Sequence, residues 1–228
     1  MRHPSDASPF NALPPVVVGL CAVLLLIELA FQAGAAGFAG GAGAVGWRIE
    51  AFNAFAFSPV IFDRMIETGQ YPPRELLRLI SYSFVHLGFT HLLFVLVFLL
   101  ALGKMVSEVF STAAVLTVLA VSAIAGAAAY GLLLDDPMAL VGGYPAVYGL
   151  IGAYTFILWV GFGAVGENRA RAFTLIAFLL GIQLLFGLMF GGSPEWLADL
   201  AGFATGFALS FVVSPGGWGR VRARLRQR

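Results

Sequence analysis

The residues best equipped for chemistry lie in three stretches. RELLRLISYSFVHLGFTHLLFVLVFLLALG (74–103) carries His86 and His91. VGGYPAVYGLIGAY (141–154) sets Tyr144 among glycines, and ADLAGFATGFALSFV (198–212) opens on Asp199. On a helix a spacing of five turns two imidazoles about 140° apart, since each residue adds about 100°. His86 and His91 are thus poorly placed to chelate one metal, unlike a pair at i, i+4, and the residues alone suggest hydrogen-bonded core histidines. Asp199 sits in an apolar run, where a carboxylate needs a proton or a partner. The Tyr144 hydroxyl is the candidate partner.

The elements that must position these groups are membrane helices. Of 228 residues, 60% are hydrophobic and 11% charged, against about 45–50% and about 25% in soluble domains. Six apolar runs, 13–35, 86–103, 112–134, 144–165, 172–191 and 196–213, each approach the ~20 residues a bilayer-crossing helix requires. Backbone groups in lipid must bond internally, so continuous helices follow. The expected organisation is a short N-terminal tail (1–12), one all-α membrane domain (13–213) and a basic tail (214–228). Ala33-Gly34-Ala35 resembles a leader-cleavage site, but the first run exceeds a leader's apolar core and is read as a retained helix.

Lys and Arg set the expected orientation. With the N-terminus cytoplasmic, Arg2, Lys104, Arg169, Arg171, Arg220, Arg222, Arg224, Arg226 and Arg228 share that side, facing Arg48, Arg64, Arg74 and Arg78 across the bilayer. Both termini are therefore placed in the cytoplasm. The connection between the first two spans runs about 50 residues and should carry its own structure, with 51–62 as one interfacial segment; it could gate a substrate or simply pack. A net charge of +1 without an aromatic-basic surface excludes a nucleic-acid partner. Cys21 is the sole cysteine, read as a small buried hydrophobe, and no metal or cofactor is expected. Glu28 and Gln32 are one turn apart and should share a hydrogen bond.

Ala198, Gly202 and Gly206 form a small-residue stripe on the sixth span, and Ala146, Gly149 and Ala153 one on the fourth. Such faces let helix backbones approach closely. These spans should pack together and bring Tyr144 near Asp199.

Taken together, the three stretches resemble the rhomboid family of intramembrane serine proteases, over about residues 74–213. The first resembles the family's long loop and second helix, with the pattern His, four residues, His, three residues, Asn. The second resembles the Gly-x-Ser-Gly opening of its fourth helix, and the third its sixth helix, which begins Ala-His. The resemblance implies a six-helix rhomboid-like bundle with a structured loop between helices 1 and 2. It places Tyr144 at the nucleophile's position, two residues after Gly142, and Asp199 at the base's. Pro145 falls on the second motif glycine and Val95 on the oxyanion-site asparagine, leaving His86 and His91 of the polar set. An acid also follows Gly103 five residues on, at Glu108, where the family has it four on, so the inner end of the second span could be shifted. Ser81, Ser83, Ser122 and Ser210 lack the motif context.

Serine-type acyl transfer needs an activated hydroxyl and donors aimed at the oxyanion. Tyrosine is bulkier, aspartate is a poor acid for an amine leaving group, proline lacks an N–H and valine offers no donor. No catalytic residue is therefore expected. The reading is a pseudoprotease of a bacterial inner membrane, and the resemblance implies that it binds transmembrane segments of client proteins through a lateral opening between the second and fifth spans. An active endopeptidase with unorthodox residues is the first alternative. A small transporter or channel is the second, with neither a charged pore series nor paired broken helices to favour it.

Overall fold

A computed structural model describes residues 13–134, 136–192 and 194–217. The N-terminal tail, and the tail arginines from Arg220 onward, lie outside the described residues. Nine α-helices are described: α1 (Pro15–Ala35), α2 (Trp47–Phe55), α3 (Pro59–Thr68), α4 (Pro73–Ser81), α5 (Phe89–Ser107), α6 (Thr112–Leu133), α7 (Tyr144–Ala164), α8 (Thr174–Phe190) and α9 (Trp196–Val213). Short 3-10 turns occur at Gly41–Gly46, Tyr82–Phe84 and Arg169–Phe173. Six helices are long and apolar enough to cross a bilayer: α1, α5, α6, α7, α8 with its preceding 3-10 turn, and α9. The protein is an all-α, integral, multi-pass membrane protein.

Local chemistry sets the helix starts. Proline stands in the first turn of α1, α3, α4 and α7, where its missing N–H costs no helical bond. Ser58 and Ser111 cap α3 and α6, accepting from Ile61 N (3.4 Å) and Ala114 N (3.3 Å). The second span begins at Phe89 rather than His86, because Gly88 adopts a fully extended backbone that stops the helix there (φ 173°, ψ 179°). At its other end α5 continues past Gly103 to Ser107. A side chain at 103 would press into Val17 of α1 (2.9 Å).

α7 is the central helix, buried without interruption from Pro145 to Ala153. It packs against α5, α6 and above all α9. Bare backbone makes that contact close. A side chain at Gly202 would meet the Pro145 carbonyl, at Gly206 the Gly149 carbonyl, and at Gly152 the Phe203 carbonyl. Ala146, Ala153 and Ala198 are buried beside them. α8 is the least buried span; its 3-10 turn, rather than its helical length, is what packs on α7.

The long connection is three helices and not one interfacial segment. Residues 51–62 divide at Ala56–Ser58, because Phe57 pairs in an isolated antiparallel bridge with Leu140 (N···O 3.1 and 2.9 Å) and Pro59 starts a new helix. Beneath it Phe57, Tyr82, Ala127, Tyr130 and Leu140 form a second small core. The connection is fastened to α1 by an ion pair between Arg48 and Glu28 (2.7 Å). Glu28 also accepts from Gln32 (2.8 Å).

Candidate functional site

The chain reverses before α7, and that reversal builds the site. Gly142 takes a left-handed conformation (φ 98°), which L side chains rarely adopt. A side chain there would also strike His91 (2.5 Å to Cε1). Gly142 N donates to the Tyr82 carbonyl (2.9 Å), fixing the loop to the 3-10 turn before His86. Tyr82 is fully buried and donates its hydroxyl to the Ala123 carbonyl of α6 (2.8 Å). Burial pushes that phenol far above its ordinary pKa.

His86 lies in the extended segment before α5, so the two histidines do not share one helix face. Their rings meet edge to face at 5.4 Å. His86 Nε2 accepts from Gly143 N (3.3 Å), and Arg48 donates to the His86 carbonyl (2.6 Å). Burial first, then the neighbouring His91, push its pKa down to about 4, so the imidazole is neutral and suited to accept. His91 Nδ1 accepts from Leu87 N (3.2 Å), reaching back over the helix start as capping side chains do. Its ring stacks on Tyr144 at 4.9 Å and 24°.

Asp199 is buried in the first turn of α9. The expected hydrogen bond from Tyr144 is not what holds it. Gln183 Nε2, from α8, donates to Asp199 Oδ2 at 2.8 Å, while Tyr144 is turned onto the His91 ring. Stacking on His91 gives the planar phenol extensive ring contact. Val95 is buried at the remaining corner, its methyl 3.0 Å from where a side chain on Gly143 would begin. Pro145 points at Gly126 of α6, where an added side chain would meet it at 2.5 Å.

Tyr144, His86, His91, Val95, Pro145 and Gly142 are thus brought together at one end of the bundle, with Asp199 alongside but engaged by α8. Gln183 and Arg48 were not singled out from the sequence. Gln183 is a lone amide within LLGIQLLFGL, and an uncharged polar group in a span is costly enough to be a signal. Arg48 shows only in three dimensions, because its partners Glu28 and the His86 carbonyl lie 20 and 38 residues away. Of the other serines, Ser210 donates to its own helix at Gly206 O (2.7 Å), while Ser83 and Ser122 are buried. Among the described residues no cluster of three or more His, Cys, Asp or Glu is placed to hold a metal ion.

Chemically, the site offers a stacked phenol, an accepting neutral imidazole and a carboxylate bound by an amide. Nucleophilic catalysis requires a hydroxyl within hydrogen-bond reach of its base. Among the described residues Tyr144 has no such bond to Asp199 or to either histidine.

Comparison with known proteins bears on the whole arrangement. Residues 73–216 match the family model of the rhomboid domain. The chain is 27% identical over 140 residues to RHOMBOID-like protein 7 of Arabidopsis thaliana, covering 61% of this chain and 44% of that protein. RHOMBOID-like protein 4 of the same plant is 29% identical, with coverage of 60% and 34%. The Putative rhomboid protease YdcA of Bacillus subtilis (strain 168) is 30% identical over 137 residues, with coverage of 59% and 66%. The chain thus spans less than half the length of these two plant relatives.

Proposed function

Because the chain belongs to the rhomboid family, we propose that it keeps the family's scaffold without its peptidase chemistry and binds transmembrane segments of client proteins. One observation carries this reading. Asp199, at the position of the family's base, is bonded to Gln183, while Tyr144, at the nucleophile's, is stacked on His91. Val95 and Pro145 take two further polar contributions away from the same corner. Asp199 and Gln183 then serve recognition rather than proton transfer. A cavity of about 620 Å³ beside them is lined by Gln183, Leu184, Leu188, Glu195 and Trp196. A client helix lying against α8 and the start of α9 would meet an apolar wall with these polar groups at its head. The thin packing of α8 supports entry from that side. The excess of Lys and Arg on one side of the spans supports an orientation with both termini cytoplasmic, in what we read as a bacterial inner membrane.

The test uses purified protein in detergent and in proteoliposomes. No covalent labelling by a fluorophosphonate probe and no cleavage of a generic rhomboid substrate are expected. Photo-crosslinkers at Leu184 or Trp196 should capture co-purifying membrane proteins through their spans. Cleavage that disappears in Tyr144→Phe would overturn the reading and establish an endopeptidase. Substrate-dependent flux without cleavage would establish a transporter.

A further inference from the structure

On the other side of the bundle, away from α8, two apolar spaces adjoin. A groove of about 470 Å³ lies between α2 and α4, with Phe55, Leu77 and Ile80 exposed along it and Arg74 on its wall. A second cavity, of about 140 Å³, lies deeper between α1 and α6. Leu24, Leu116 and Ala120 line its sides, and Val95 and Gly143 its far wall. Ile80 and Phe84 belong to both linings, so the two spaces share a wall. α1 leans on α5, which leaves the flank between α1 and α6 thinly closed.

Two cations on α4 differ in what they do. Arg78 is fully committed, paired with Glu75 (2.6 Å) and donating to the Ala56 and Asn53 carbonyls (2.9 and 2.8 Å). Arg74, one turn earlier, is exposed and has no ion pair or hydrogen bond among the described residues. Ser81, the other polar residue of the groove, uses its hydroxyl on the Phe55 carbonyl (2.9 Å). The groove therefore presents one available charge beside the apolar cavity with which it shares a wall.

We propose that the groove and the cavity together hold one anionic phospholipid, its phosphate on Arg74 and one acyl chain passing Ile80 and Phe84 into the cavity as far as Val95 and Gly143. Guanidinium matches phosphate geometry, and Arg74 lies in the first turn of α4, the short helix before the α5 span. The inner cavity is lined almost wholly by carbon, and apolar cavities of about 150 Å³ stay dry and take up small hydrocarbons. Width decides between a lipid and a peptide. A helix with side chains is about 10–12 Å across and cannot enter a cavity of about 140 Å³, whereas a polymethylene chain can. The site neither overlaps nor depends on client binding beside α8.

The experiment photolabels the full-length protein in mixed micelles. The probes are phosphatidylglycerol and phosphatidylcholine carrying a diazirine near the end of one acyl chain. Phosphatidylglycerol should label Val95–Leu99 or Leu116–Ala123 about fivefold more than phosphatidylcholine, the advantage of one surface cation. Arg74→Gln should erase that preference and leave thermal stability unchanged. Ala120→Phe should abolish labelling of the inner segments. Equal labelling by both headgroups, or a preference surviving Arg74→Gln, would overturn the assignment. So would label confined to outward residues such as Leu26, or a co-purified polypeptide crosslinked at Leu77. Client capture at Leu184 is scored separately, so either conclusion can fail alone.

Discussion

Asp199 and Gln183 share one short hydrogen bond across two helices, and Gln183 Oε1 has no partner beside it. Asp199→Ala would leave the whole amide unsatisfied, so a loss of about 1–3 kcal/mol is expected in detergent unfolding. Asp199→Asn should recover most of that, because its carbonyl still accepts and its amide can donate to Gln183 Oε1. His86 gives a pH signature. Its pKa falls to about 4 in the fold, against about 6.5 in an unfolded chain. The unfolded chain binds more protons between those values, so stability is complete above pH 6.5 and declines as pH falls toward 4. His91, Glu28 and Arg48 face the same ring, so the difference between wild type and His86→Asn isolates it. That difference should narrow across the window in a series of melting curves.

At the scale of elements, the α7–α9 contact rests on absent side chains. Gly206→Ala or Gly202→Ala would push a methyl into a backbone carbonyl, and overpacking of this kind costs about 1–3 kcal/mol. Gly181→Ala on α8 meets nothing within 4 Å and should be neutral or mildly stabilising. Circular-dichroism melts of the three variants check this. The Arg48–Glu28 pair joins the loop helices to α1, and Glu28 is only 1% exposed. Arg48→Ala strands a buried carboxylate and should cost about 3–5 kcal/mol, whereas the double variant with Glu28→Leu should cost less. These elements differed in how far the sequence revealed them. The spans were legible because lipid demands about 20 apolar residues in a row, and their ends shift by a few residues at most. The start of α5 was misjudged because Gly88 stops the helix between two histidines that hydropathy alone would join. The division of 51–62 was hidden because the bridge that breaks it needs Leu140, more than 80 positions away. The close approach of α7 and α9 was legible from glycine spacing. The partner of Asp199 was not, since it is an amide in a helix with no motif of its own.

The whole molecule divides into a tight part and a loose part. α6, α7 and α9 pack through glycine and alanine, while α8 buries its first turns around Ile176, keeps much of its remaining length outward and binds α9 through Gln183. Distances within the tight part should be narrow and those to α8 broad. Spin labels at Leu185 and Leu132, in a Cys21→Ser background, should give a wider distribution than labels at Phe211 and Leu116. Gln183→Leu should widen the first and leave the second unchanged. Equal widths in the unmodified protein would contradict this division.

Pro145 lies between Gly126 and Gly202, its Cβ against one and its carbonyl against the other. The consequence concerns mutational paths. On the proposed reading, a route from this sequence to the family's motif would change Tyr144, Pro145, Val95 and Asp199. Pro145→Gly on its own would empty the notch opposite Gly126 and free a turn that the ring now holds. Asp199→His on its own would surrender the bond to Gln183 while Tyr144 still lay flat. Either of these first steps loses contacts before any gain is possible, so Pro145 and Asp199 are held in place by their present neighbours.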